Sequence, residues 1–171
     1  MQRKNRIKGT KYDVVFILPP PSIKYPSGGY DIVYRLVFGL NKNGFKAAIW
    51  FVLNLREYIP NYIYSSKRKG YIHTFINSLL QKIPIPNFLF ESVYHHYNFI
   101  AKLIFRVDYD YDILKNTPLY LINRYNKNKI PNARIIIATS WETAFFVNNI
   151  VKKFPEIRGY YLIQHNEDDP S

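Results

Sequence analysis

Apolar residues along the chain fall into two patterns: short, near-continuous runs of strand length, and longer stretches in which apolar positions recur every three or four residues. Asp13 to Leu18, DVVFIL, is the first run, and Pro19-Pro20-Pro21 end it, so a buried strand is predicted there. The following loop ends in Ser27-Gly28-Gly29. From Gly29 onward Val33, Leu36, Val37 and Leu40 keep helical spacing, and Asn43-Gly44 supplies a left-handed stop. Phe45 to Leu53, FKAAIWFVL, reads as a second buried strand, whose unbroken apolarity suits a parallel sheet covered on both faces. The first third of the chain is therefore a βαβ unit.

The last third repeats the arrangement. Arg134 to Ser140, RIIIATS, predicts a strand, residues 141 to 153 a helix with Ala144, Val147, Ile150 and Val151 inward, and Tyr160 to His165, YYLIQH, another strand. Between the two units, residues 71 to 82 predict a helix that Ile83-Pro84-Ile85-Pro86 breaks. From Phe90 a stripe of Val93, Tyr97, Ile100 or Ala101, and Ile104 predicts an amphipathic helix that either faces a core or rests on anionic lipid. Alternating β and α elements give the α/β class: a Rossmann-like, open, doubly wound parallel sheet with right-handed crossovers, in one domain over residues 1–171.

Composition narrows the partners. Hydrophobic residues make up 47% of the 171-residue chain and charged residues 21%, values that support a packed core. The absence of cysteine rules out disulfides, thiolate metal sites and a cysteine nucleophile. A net charge of +12 favours anionic partners: nucleic acid, phosphorylated substrates or an acidic membrane surface. Five cations, Arg3, Lys4, Arg6, Lys8 and Lys11, precede the first aspartate, and Lys67-Arg68-Lys69 form a second cluster. No RNA-recognition, zinc-finger or basic-zipper pattern is present, so no specific nucleic acid is expected. The basic N-terminus leads into a short strand-like run rather than a signal peptide's apolar core, and the apolar window from Ile83 to Phe105 is interrupted by Glu91, His95, His96 and Lys102. Neither reads as a targeting or spanning segment.

In a doubly wound sheet, ligands sit beyond the carboxyl ends of the strands, where the strand order switches. Four turns leave those ends: Gly28-Gly29, the Asn54 region, Thr139 to Glu142, and Gln164-His165-Asn166-Glu167. Glycines at a helix N-terminus let backbone N–H groups approach a phosphate or a sugar. The full dinucleotide fingerprint is missing, and Asn54 stands where an acidic residue would hold a ribose; the Walker Lys-Ser/Thr is missing as well. Thr139-x-x-Glu142 has the spacing of a capping box. Trp141, a large aromatic at the mouth of the sheet, suits stacking on a sugar ring or service as a lid. His165, following a strand and flanked by Gln164 and Glu167, suits hydrogen bonding to hydroxyls or proton transfer near neutral pH. His95-His96 diverge by about 100° on a helix and make a poor metal site. Asp108, Asp110 and Asp112 could hold a divalent ion, yet the EF-hand positions for Gly and Glu are Ile113 and Leu119, so a solvated loop is expected. No cofactor and no metal are expected.

Two stretches carry a family resemblance. Strand, SGG, a helix ending in Asn41-x-x-Gly44-Phe45 and a second strand resemble the opening of the retaining glycosyltransferases of family 4, which have the two-Rossmann-domain GT-B architecture. The segment ARIIIATSWETAFFVNNIVKKFPEIRGYYLIQHNED is similar to the rhamnosyltransferase-like subgroup, in which a strand ending in A-T-x-W-x-T-A precedes one ending in Y-x-I-Q-[DH]-x-E. The resemblance covers about the first 55 and the last 40 residues. It implies the acceptor-side half of a sugar transferase acting on a nucleotide-sugar donor and a polysaccharide or lipid-linked acceptor without a metal. Gly28 and Gly29 would approach the donor, His165 would contact the transferred sugar, and Thr139, Trp141, Glu142 and Thr143 would line the acceptor side with Gln164 and Glu167. Many relatives place Asp at the position of His165. The donor-binding E-x7-E motif of such enzymes is absent from the sequence. The resemblance therefore implies a C-terminal GT-B half in cis or a partner subunit, a cytoplasmic site peripheral to the inner face of the plasma membrane, and no turnover by this chain alone. A non-enzymatic α/β subunit that docks on anionic membrane and pairs with a separate donor-binding subunit is the competing expectation.

Overall fold

A computed structural model describes residues 11–19, 28–53, 55, 117–122 and 130–163. Among the described residues five strands and two helices follow in chain order: β1 Tyr12–Leu18, α1 Gly28–Lys42, β2 Ala47–Val52, β3 Leu119–Ile122, β4 Ala133–Ala138, α2 Trp141–Lys153 and β5 Arg158–Tyr161. The strands form one parallel sheet in the order β3-β2-β1-β4-β5. The expected α/β, Rossmann-like doubly wound arrangement is therefore the observed one. The predicted helices at 71–82 and from Phe90, the paired His95-His96 and the Asp108 to Asp112 run lie outside the described residues.

The order follows from how the chain winds. It steps outward from β1 to β2 and β3, then returns to lay β4 against the other side of β1 and steps outward again to β5. Because the two crossovers step in opposite directions, helices of one hand must fall on opposite faces. They do. α1 packs Val33, Tyr34 and Val37 against Val14, Phe16, Leu18, Ile49 and Phe51 on one face. α2 packs Phe146, Val147 and Ile150 against Val15, Ile17, Val52, Ile136 and Ala138 on the other. β1 and β2 thus contribute to two cores at once, which is why every residue of β2 is buried and why their sequences show no polar alternation.

Several local expectations shift on folding. The inward stripe of α1 was expected to hold Leu36 and Leu40; Tyr34 takes their share of the interface, leaving Leu36 exposed and Leu40 only partly buried. On α2, Phe146 and Thr143 are buried where Ala144 and Val151 were expected to point fully inward. The last strand was expected over Tyr160 to His165, but it starts at Arg158, which pairs with Ile135, and ends at Tyr161 with one further bond from the Leu162 N–H to the Ala138 carbonyl. It is the exposed edge of the sheet, since no strand lies beyond it among the described residues.

The two helices are fastened differently. α1 ends in a Schellman arrangement: Gly44 takes φ 85°, its N–H bonds the Asn41 carbonyl, and the Phe45 N–H reaches the Leu40 carbonyl at 3.1 Å. The Asn41 side chain then grips β2, accepting from the Ala47 N–H at 2.8 Å and donating to the Ala47 carbonyl at 3.1 Å. α2 lies close on β5 because Gly159 offers no side chain. A Cβ there would come within 2.7 Å of Val151 Cγ2 and 2.9 Å of Val147 Cγ1.

Candidate functional site

The switch in strand order falls between β1 and β4, which pair from Tyr12 with Ala133 to Ile17 with Ala138. The chain leaves these neighbouring carboxyl ends toward opposite faces, into α1 on one side and α2 on the other. A crevice opens between such diverging connections. The helices run back down the sheet, so both place their N-termini, the positive ends of their dipoles, at this crevice.

On the α1 side the helix opens on Gly28-Gly29. Tyr30, in the first turn, donates its hydroxyl to the Pro19 carbonyl at 3.2 Å and so ties the helix start to the end of β1. Asp31 would oppose an incoming anion, but the Arg35 guanidinium meets its carboxylate at 2.8 Å one turn below and offsets the charge.

On the α2 side the turn after β4 is tied across the switch itself: the Thr139 hydroxyl donates to the Ile17 carbonyl of β1 at 2.9 Å. The helix cap is one residue later than Thr139-x-x-Glu142 spacing suggested. Ser140 is the N-cap, its side chain accepts from the Thr143 N–H, and Thr143 rather than Glu142 reaches back to the cap. Both spacings are present in T-S-W-E-T, Thr139 to Thr143; the tie between Thr139 and Ile17 decides between them, because it commits the Thr139 hydroxyl to β1.

Thr143 was expected to line the acceptor side, and its burial overturns that. It is fully buried, the Thr139 and Ser140 N–H groups converge on its hydroxyl oxygen at 3.0 Å each, and that hydroxyl donates to the Ser140 carbonyl at 2.9 Å. Two lone pairs and one hydrogen are all a hydroxyl has, so nothing is left for a ligand. Glu142, freed from capping, is a half-buried residue of the first turn. Trp141 is 39% exposed and meets Phe145 edge-on, with ring centroids 6.4 Å apart and planes at 89°. One turn of α2 thus props the indole while much of it remains open to solvent.

The remaining sequence candidates, Gln164, His165 and Glu167, and Asn54 after β2, lie outside the described residues. The strand that leads to His165 does not leave at the switch point, as expected, but from the outer edge beside β4. The structure therefore places Gly28 and Gly29 at the start of the helix on one face of the sheet, and Thr139, Trp141 and Glu142 at the start of the helix on the other. Sequence reasoning missed Ser140 as the cap, Tyr30 as a brace and Ile17 as the acceptor that joins β1 to the β4 turn. Among the described residues no three His, Asp or Glu side chains gather as a metal site would require, and no helix is long and apolar enough to cross a membrane.

Compared with protein-family models, curated proteins and solved structures, the chain finds no match in any of the three.

Proposed function

We propose that the chain is the acceptor-side half of a GT-B-type glycosyltransferase, binding a polysaccharide or lipid-linked acceptor at the crevice between β1 and β4. The observation that carries this reading is the pairing, across one switch point, of a side-chain-free helix start at Gly28-Gly29 with a propped, half-open indole at Trp141. Backbone N–H groups at the helix start suit a phosphate of the donor or of a lipid-linked acceptor, and the indole face suits a sugar ring. Thr139 and Ser140 hold the turn that aims Trp141, and Glu142, no longer needed as a cap, can accept hydrogen bonds from sugar hydroxyls. His165, with Gln164 and Glu167, is the proposed contact to the transferred sugar. Charge developing on the leaving phosphate is stabilised by helix dipoles and cations rather than by a metal. Donor binding falls to a C-terminal half in cis or to a partner subunit, and the +12 charge suits an anionic, cytoplasm-facing membrane surface.

The two tryptophans make the reading testable, because Trp50 is 7% exposed and Trp141 39% exposed. Titration with oligosaccharides and with lipid-linked sugar phosphates should change tryptophan emission saturably. The Trp141→Ala variant should lose that change and bind at least about tenfold more weakly, while its stability stays within about 0.5 kcal/mol of the parent. Emission that is indifferent to every glycan at millimolar concentration, or an unaltered affinity in the variant, would sink the proposal. Salt-sensitive binding to any nucleic-acid duplex without affinity for sugars or vesicles would replace it with a different one.

A further inference from the structure

A second cluster lies toward the amino ends of the strands, away from the crevice. Lys11 and Tyr12 open β1, and Tyr120 is the second residue of β3, two strands away. The tyrosines meet across β2, where Ala48 puts only a methyl group on that face next to Trp50. Their rings stand edge to face at 5.9 Å and their hydroxyls share a short hydrogen bond. The Lys11 ammonium donates to the Tyr120 hydroxyl at 2.8 Å and sits 5.3 and 5.2 Å from the two ring centroids. Trp50 stacks at a tilt on Tyr120 with centroids 5.2 Å apart, and its buried Nε1 has no hydrogen-bond partner among the described residues.

The hydrogen count in this cluster does not close. An ammonium carries three hydrogens and each phenol one; one ammonium hydrogen goes to Tyr120 and one phenol hydrogen lies between the two hydroxyls. The Tyr12 hydroxyl also engages the ammonium, so one ammonium hydrogen, one phenol hydrogen and the indole N–H remain, and no acceptor among the described residues takes them. No carboxylate lies within ion-pairing distance of Lys11 among the described residues, and Arg3, Lys4, Arg6 and Lys8 precede it in the chain without an acidic residue between. Surplus donors, uncompensated positive charge and partial burial are what a tetrahedral oxyanion requires.

We propose that Lys11, Tyr12 and Tyr120 form a binding site for a phosphate group, separate from the crevice. The ammonium supplies charge and a hydrogen bond, and the phenol pair supplies a second from a fixed direction. The protonation states suit the role. The hydrogen bond to Tyr120 raises the Lys11 pKa above its ordinary value, and burial, reinforced by the bond to Tyr120, lifts Tyr12 to about 12, so both remain donors at neutral pH. The phosphate could be a free or solute-borne group or a lipid headgroup; the cluster recognises the same chemistry in each.

The test is a titration of the full chain, labelled with 13C in its tyrosine rings, with inorganic phosphate at constant ionic strength. A saturable shift of two tyrosine signals is expected, weakened at least about tenfold by Lys11→Met and also by Tyr120→Phe, and unchanged by Lys42→Met, which removes an exposed cation from the last turn of α1 on the opposite face of the sheet. Thermal unfolding identifies any variant that loses its fold, and exposed Lys11 can be replaced without touching the core. Vesicles containing phosphatidic acid, run against phosphatidylcholine alone, distinguish the sources: preferential binding that inorganic phosphate displaces assigns a headgroup, and phosphate binding without vesicle binding assigns a soluble phosphate. No saturable shift, or one equal in all three variants, overturns the proposal. Neither result depends on the crevice, so Trp141→Ala should bind phosphate here like the parent.

Discussion

In the β1-α1-β2 unit all six residues of β2 are buried, whereas in β4-α2-β5 all four residues of β5 are exposed. The helices differ as well. α1 is fastened mainly at its C-terminal end, through the Gly44 turn and the Asn41 grip on Ala47, with a single tie from Tyr30 to the Pro19 carbonyl at the crevice. α2 is fastened at its N-terminal end, through Ser140, Thr143 and the Thr139 tie to β1, at the crevice itself. One unit holds the sheet together. The other holds a turn in place and leaves its outer strand and one indole in solvent, which is the arrangement a binding surface needs: a fixed backbone carrying exposed side chains.

The sharpest way to break this contrast is to empty the buried unit. Phe51→Ala removes a fully buried ring from the centre of β2 and should cost about 3–5 kcal/mol, read as the shift of a denaturant midpoint. Tyr160→Ala on β5, 52% exposed, should fall within about 0.5 kcal/mol of the parent; a comparable loss at both sites would erase the distinction. Next in size is Gly159→Ala. Its methyl would press on Val147 and Val151, so α2 must lift from β5 at a cost of about 1–3 kcal/mol, with hydrogen exchange accelerated in α2 and not in α1.

Smaller effects separate the two residues that compete for the cap. Thr143→Val keeps the buried volume but leaves the Thr139 and Ser140 N–H groups without their acceptor, and about 1–2 kcal/mol should be lost. Glu142→Ala should change stability by no more than about 0.5 kcal/mol, and an equal loss in both would restore Glu142 to the cap. The least effect at neutral pH belongs to Tyr12. A phenol whose folded pKa is raised from 10.0 to about 12 adds stability that is complete below pH 10 and disappears as pH rises through that window. Denaturant midpoints should therefore fall between those values in the parent and level off in Tyr12→Phe.

The strands and helices at both ends of the chain were legible because near-continuous apolar runs and helical spacing report burial directly: the DVVFIL run, the α2 span of 141–153 and the Gly44 stop all stand as read. β3 was not legible. Four residues, LYLI, give too short a period to separate a strand from any apolar loop, and only pairing with β2 defines it. The bounds of β5 were not legible either, since the apolar run points to Tyr160 to His165 while pairing with β4 runs from Arg158 to Tyr161. At the site, T-x-x-E and S-x-x-T overlap in the pentapeptide Thr139 to Thr143, so which residue caps α2 depended on a carbonyl 122 positions away.

What the sequence determined by itself is the class: two βαβ units, a parallel sheet, a glycine start to one helix and an indole at the start of the other, since these depend on neighbours within a turn or a strand. The tertiary structure alone decided the order of the strands, and with it which pair of carboxyl ends forms the crevice. It also assigned Thr143 to the interior and brought Lys11, Tyr12 and Tyr120 together across β2. Those outcomes rest on contacts between residues far apart in the chain, where no local propensity acts and only the closing of two cores on one sheet selects the partner.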